Sequence, residues 1–228
     1  MKRPAAFQAG PEKTSNAKRS TVALISAMRS IANPSQAPDM ERYMRGKFKF
    51  LGLKAPARKE AQKQFLNAVS RQSTEYVLAV ADELWAQAER EYQYVACDIL
   101  RAHSQHSEGT KLLEGVYKLL LQKSWWDTVD PLSQVVGQIL SLPGILPKMD
   151  FWIRDKSMWV RRCALICQIT RGTSTDAQRL FSYCRRCADE EEFFIVKGIG
   201  WALRSYRRVD FKAVCSFVKS TRLQQLSE

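Results

Sequence analysis

Apolar residues recur at helical spacing from Ser20 almost to the C-terminus, and no stretch alternates apolar and polar residues as a half-buried strand would. That property leaves only helix-on-helix architectures. The pattern predicts a helix from a cap at Ser20 or Thr21 through Ala32, a second over 40–48, and a third with Pro56 in its first turn. Thr74 is placed to cap a helix over 75–86. Further helices are expected at 89–103, 109–123, 131–142, 145–154, 158–170, 175–187, 191–206 and 210–220. The connections are short, so neighbouring helices should form antiparallel hairpins.

A short repeat points to how the hairpins are arranged. Trp159-Val160-Arg161-Arg162 and Trp201-Ala202-Leu203-Arg204 both read WxxR, 42 residues apart. That period fits helix-pair repeats of the HEAT class. The expected fold is therefore all-α, an α–α superhelix of HEAT-like repeats over residues 20–228, whose curvature gives a concave face. An irregular helical bundle is the competing reading. Residues 1–19 are polar and carry Lys2, Arg3, Lys13, Lys18 and Arg19 against Glu12, the composition of a disordered basic tail.

Charge narrows the choice of partner. Lys and Arg total 36 against 23 Asp and Glu, a net charge of +13. Such an excess favours a polyanion, most often nucleic acid. No apolar run approaches the ~18 residues that a membrane span needs, and the N-terminus lacks the apolar core of a signal peptide. An intracellular protein with no membrane partner is expected. Cys163 and Cys167 share a helix face, and Cys184-Arg185-Arg186-Cys187 is a CxxC. A zinc site would need short hairpins there, whereas these stretches read as helix, and His103 and His106 are distant in sequence. Buried free thiols and no metal are expected.

The segment Ser124-Trp125-Trp126-Asp127-Thr128-Val129-Asp130 concentrates the chemistry. Adjacent tryptophans on a helix point about 100° apart. Trp125 lines up with Val129, Leu132, Val136 and Leu140, a core stripe. Trp126 lines up with Asp130, Ser133, Gln134 and Gly137, an open polar face. Pro131 then predicts a kink or break at 130–131, because its ring opposes the carbonyl of Asp127. Two readings of Asp130 stay open: an N-cap ahead of a proline, or a carboxylate facing a substrate beside an indole. The two are compatible, one oxygen serving each. Over 191–206, Ile195, Ile199, Ala202, Leu203 and Tyr206 form one face, and Phe194, Lys197, Gly198, Trp201, Arg204 and Arg208 another. The second face suits a sugar–phosphate backbone, or a core tryptophan with snorkelling arginines.

These stretches, taken in order, resemble the AlkD-like family of bacterial DNA alkylation-repair glycosylases, built from HEAT-like repeats. The resemblance runs from about Ser20 to the end. It rests on Arg42-Tyr43-Met44, Phe48-Lys49-Phe50-Leu51-Gly52, Glu83-Leu84-Trp85, Glu89-Arg90-Glu91, Lys123 through Asp130, Trp159-Val160-Arg161-Arg162, Glu192-Phe193-Phe194 with Lys197, and Gly200-Trp201-Ala202-Leu203-Arg204. It implies hydrolysis of the N-glycosidic bond of N3- or N7-alkylated, cationic purines in double-stranded DNA, without base flipping and without a cofactor. Asp130 matches the catalytic carboxylate, and Trp126 and Trp201 the aromatic residues that cradle the deoxyribose. Arg162 matches an arginine on backbone phosphate, Arg204 and Lys197 further backbone contacts, and Tyr43 a tyrosine lining the same cleft. A monomer associated with the nucleoid is expected. Members of the family usually continue past the position of Leu226-Ser227 with a basic helix, so the last repeat is expected to be incompletely capped. A non-catalytic solenoid binding distorted DNA and a protein–protein adaptor are the rival functions.

Overall fold

The computed structural model describes residues 11–221, in which twelve α-helices and no strand are found. They fall into two compact units, residues 1–115 and 116–228. The first holds α1 (Pro11–Ser30), α2 (Ala37–Tyr43), α3 (Ala55–Val69), α4 (Thr74–Ala86), α5 (Arg90–His103) and the start of α6 (Gly109–Leu120). The second holds the end of α6, then α7 (Trp126–Ile139), α8 (Ile145–Trp152), α9 (Met158–Ile166), α10 (Ala177–Arg186), α11 (Phe193–Tyr206) and α12 (Phe211–Ser220). The all-α class expected from the sequence is the one observed. Of the disordered basic tail expected over residues 1–19, residues 11–19 instead form the first turns of α1; residues 1–10, and the incompletely capped end past Leu226-Ser227, lie outside the described residues.

Three helix ends depart from expectation, each for a local reason. α1 is already helical at Pro11, the first described residue, upstream of the expected cap at Ser20 or Thr21, and no Gly or Pro interrupts it before Pro34. Ala17, Thr21, Leu24 and Met28 are buried at helical spacing, so the packed stripe starts upstream of Ser20. α2 stops at Tyr43, short of the expected 48, because Arg45 and Gly46 turn left-handed at φ 56° and 68°. Ser73, not Thr74, caps α4 by accepting the Tyr76 N–H at 3.3 Å. Thr74 is buried one step inside and hydrogen-bonds His103 Nε2 at 2.9 Å.

In the first unit α4 packs against both α1 and α5. The segment after α2 is clamped by α5. Both oxygens of the buried Glu91 carboxylate accept backbone N–H groups, from Leu51 and Leu53, each at 3.0 Å. Arg90 lies over the Phe48 ring at 3.7 Å. Gly52, at φ 82°, is required there: a Cβ would stand 2.0 Å from the Asn33 carbonyl oxygen.

In the second unit α9 is central, with α7, α8, α10 and α11 packed on it. Val160, Cys163, Ala164, Leu165 and Ile166 bury its length. The α7–α9 approach is close because residue 137 is glycine; a Cβ there would stand 2.3 Å from the Cys167 carbonyl oxygen. Cys163, Cys167, Cys184 and Cys187 are buried and unbridged in this unit. Burial pushes the Cys163 and Cys187 thiols up to about 12. Among the described residues no group of His, Cys, Asp and Glu is placed to hold a metal.

Candidate active site

The geometry of the Trp-Trp-Asp segment is set by how α7 starts. Lys123 is left-handed at φ 48°, and the Ser124 hydroxyl turns back to the Leu120 carbonyl at 2.6 Å. Trp125 is extended and forms the N-cap position. Its carbonyl accepts the Thr128 and Val129 N–H groups at 3.2 and 3.0 Å. The helix nucleus therefore precedes Asp130, and α7 runs through Pro131. The break expected at 130–131 is absent, and Asp130 does not cap a helix. Its carboxylate is left available for a side-chain partner.

That partner is Arg162 of α9. Nε donates to Asp130 Oδ1 at 2.9 Å, and Nη2 donates to Oδ2 at 3.0 Å. The pair is a bidentate fork with the side chains 6% and 16% exposed. The third corner of the guanidinium is also held, Nη1 donating to the Phe194 carbonyl of α11 at 2.5 Å. Burial raises the Asp130 carboxyl above its ordinary range; Arg162 pulls it down, and the charge of nearby Asp127 pushes it up slightly. A carboxylate that is fixed, poorly solvated and partly open suits stabilisation of a developing cation.

Trp125 lies in the core as the spacing predicted, but the face expected to be open for Trp126 is only partly so, since Ser133 and Gly137 on it are buried. Trp125 is 8% exposed and meets Trp159 and Phe194 edge-on, at centroid distances of 5.7 and 5.0 Å. Trp126 is half-buried and stands one helical turn before Asp130 on the same face. On α11, Trp201 is half-buried one turn beyond Gly198, and Gly198 abuts Arg162. Lys197 and Arg204 are exposed on the same helix, Lys197 standing 5.6 Å from the Phe193 ring centroid. α7, α9 and α11 thus bring Asp130, Arg162 and the backbone of the Trp201 helix together. Tyr43 belongs to the first unit, where it is 70% exposed.

Sequence reasoning did not reveal the Asp130–Arg162 pair, because it joins two helices. Nor did spacing separate Arg162 from Arg161. Arg161 forms a second fork, with Glu190, at 3.0 and 2.6 Å. Phe194 and Gly198 act through a carbonyl and through a missing Cβ, which no residue pattern announces.

Residues 24–227 match the family described as DNA alkylation repair enzyme. The chain belongs to that family. The DNA alkylation repair match spans Asp130, Trp126, Arg162, Trp201 and Tyr43, and it makes DNA the partner, in keeping with the net charge of +13. A solved structure titled as a predicted DNA alkylation repair enzyme from Enterococcus faecalis has the same fold. It is 31% identical, with a TM-score of 0.76, covering 86% of this chain and 92% of its own. None of the curated proteins matches the chain. As a member of a DNA repair family it carries no helix long and apolar enough to cross a membrane among the described residues.

Proposed function

We propose that this DNA alkylation repair protein is a monofunctional glycosylase that hydrolyses the N-glycosidic bond of N3- or N7-alkylated purines in double-stranded DNA. The observation that carries the reading is the Asp130 carboxylate, forked onto Arg162 one turn from the half-buried indole of Trp126. An N7-alkylated purine is already cationic and needs little acid assistance to leave. As the bond lengthens, positive charge moves onto the deoxyribose. Asp130 stabilises that charge and orients the attacking water, as a carboxylate does in glycoside hydrolysis. Trp126 and Trp201 offer π faces to the same cation, a contribution of about 0.5–2 kcal/mol each.

Arg162 has five N–H donors, of which Nε–H, one Nη1–H and one Nη2–H serve protein acceptors. The other two are the ones we assign to a backbone phosphate, so that one guanidinium aligns both the DNA and the carboxylate. Lys197 and Arg204 extend the phosphate contacts along α11, and Tyr43, exposed on the first unit, is assigned as a DNA contact of that unit. The lesion is held by its backbone and is not flipped into a pocket. We assign a HEAT-like repeat architecture and a monomeric, nucleoid-associated state to the protein.

The test is incubation with methylated duplex DNA, scoring released 7-methylguanine and 3-methyladenine. Wild-type protein that binds the DNA and releases neither base would falsify the glycosylase reading and leave a non-catalytic binder of damaged DNA. Asp130→Asn should abolish most excision while DNA binding persists.

A further inference from the structure

The guanidinium that holds Asp130 is itself seated by α11, at two points one helical turn apart. The first is the Phe194 carbonyl, which accepts Arg162 Nη1 at 2.5 Å. In an α-helix that carbonyl also accepts the N–H of residue 198. The second is Gly198, which is buried against α9. A Cβ on Gly198 would stand 3.3 Å from the same Nη1 and 3.1 Å from Leu165 Cδ2. Both distances are tighter than ordinary contact, so a side chain there would require the guanidinium or Leu165 to give by a few tenths of an ångström.

We propose that Gly198 is a positioning residue for Asp130, acting through Arg162. The absent side chain at 198 lets the guanidinium lie with Nη1 on the Phe194 carbonyl while Nε and Nη2 lie on the carboxylate. A planar fork has one orientation that satisfies all three acceptors. A shift of Nη1 away from α11 tilts the plane and lengthens the two bonds to Asp130. The proposal rests on the reading of Asp130 as the reacting carboxylate. The charged and titratable groups acting on Asp130 are Asp127 from its own helix, and Arg162 and Cys163 from α9. From α11 the Phe194 carbonyl meets the same guanidinium, while the helix's cations Lys197 and Arg204 are exposed to solvent.

The competing account is that Gly198 only lets α11 pack closely on Leu165. The two accounts part on the titration of Asp130. Loss of a well-seated cation raises the proton affinity of its carboxylate, whereas a packing change elsewhere leaves it alone.

The experiment measures the Asp130 titration midpoint by carboxyl-detected NMR in DNA-free protein, alongside thermal stability and single-turnover excision. For Gly198→Ala the midpoint should rise by about one pH unit. The excision rate at saturating protein should fall about tenfold with little change in DNA affinity. In an Arg162→Lys background the same substitution should move the midpoint no further, since its effect passes through the guanidinium. A changed melting temperature with an unmoved midpoint overturns the proposal, as does a full additional shift in the Arg162→Lys background. If Gly198→Ala does not fold, Gly198→Ala with Leu165→Val removes the packing conflict and retains the one with Nη1. The midpoint needs no DNA and no turnover. A midpoint shifted by Gly198→Ala, when wild-type protein excises nothing, upholds the positioning role and rejects the catalytic one; normal wild-type excision with an unshifted midpoint does the reverse.

Discussion

Arg162 of α9 reaches across to α7 and holds both oxygens of Asp130, at 2.9 and 3.0 Å. A lysine carries the same charge but donates from one point, and cannot serve Oδ1, Oδ2 and the Phe194 carbonyl in one plane. Arg162→Lys should therefore lower the single-turnover excision rate by roughly 10- to 100-fold. Arg162→Ala should do more, because it strands a buried carboxylate. The expected loss of folding stability is about 3–5 kcal/mol, readable in denaturant melts. Equal stability of the two variants would contradict the view that the charge is what keeps Asp130 buried.

Asp130 also sets an unusual pH dependence. Burial holds its carboxyl above the ordinary range in the folded protein. Across the interval between the unfolded and folded values, the native state binds a proton that the unfolded chain has released. Stability from this group therefore falls as pH rises through that interval. In the proposed mechanism excision requires the ionised form and should rise through the same interval. Opposite slopes of melting temperature and single-turnover rate in mildly acidic buffer are the expected result. Asp130→Asn should remove this contribution to the stability slope. An acid limb at or below the ordinary carboxylate range would assign the titration to another group.

The helical class and the burial of Trp125 were readable because both follow from 3.6-residue periodicity within one helix. The role of Asp130 was not, because Pro131 makes two local structures credible. The choice between them is made at Trp125, whose carbonyl nucleates α7 ahead of the proline. The distinction between Arg161 and Arg162 was hidden for a different reason. Each finds a carboxylate on another element, Glu190 and Asp130. A pairing with a distant helix or connection leaves no period in the chain. The short α2 follows from a left-handed arginine at 45, where local sequence favours continuation and the Glu91 clamp on the next segment favours a stop.

A second ion-pair cluster has the opposite pH signature. Arg179 donates to both oxygens of Asp150, at 2.9 and 2.7 Å, and the Tyr183 hydroxyl donates to Oδ1 at 2.7 Å. The Arg179 guanidinium holds the Asp150 carboxyl below its ordinary range, with Tyr183 assisting. This contribution is fully present above the unfolded carboxyl value and is lost as pH falls through the folded one. Arg179→Met should lower the melting temperature at neutral pH, and the deficit should shrink on acidification. Asp150 is 41% exposed, so solvent and salt should weaken the effect. Excision measured well below the melting temperature should be unchanged.

Gly137 links stability to the site. Its alanine variant gains helix propensity, at most about 1 kcal/mol. Against that gain, the new Cβ would lie 2.3 Å from the Cys167 carbonyl oxygen, a backbone atom that cannot rotate away. The Gly137 carbonyl also accepts Arg171 Nη1 at 3.0 Å, which ties the two segments at the same level. α7 and α9 must therefore separate, at a cost of about 1–3 kcal/mol for overpacking. A loss of 1 kcal/mol corresponds to about 2–4 °C in a chain of this size. The same separation acts on Asp130 and Arg162, which face each other from those two helices. Gly137→Ala should thus lower both the melting temperature and the excision rate, the latter even at temperatures where the protein is fully folded. A variant that melts early yet excises at the wild-type rate would show that the α7–α9 spacing at residue 137 does not reach the carboxylate.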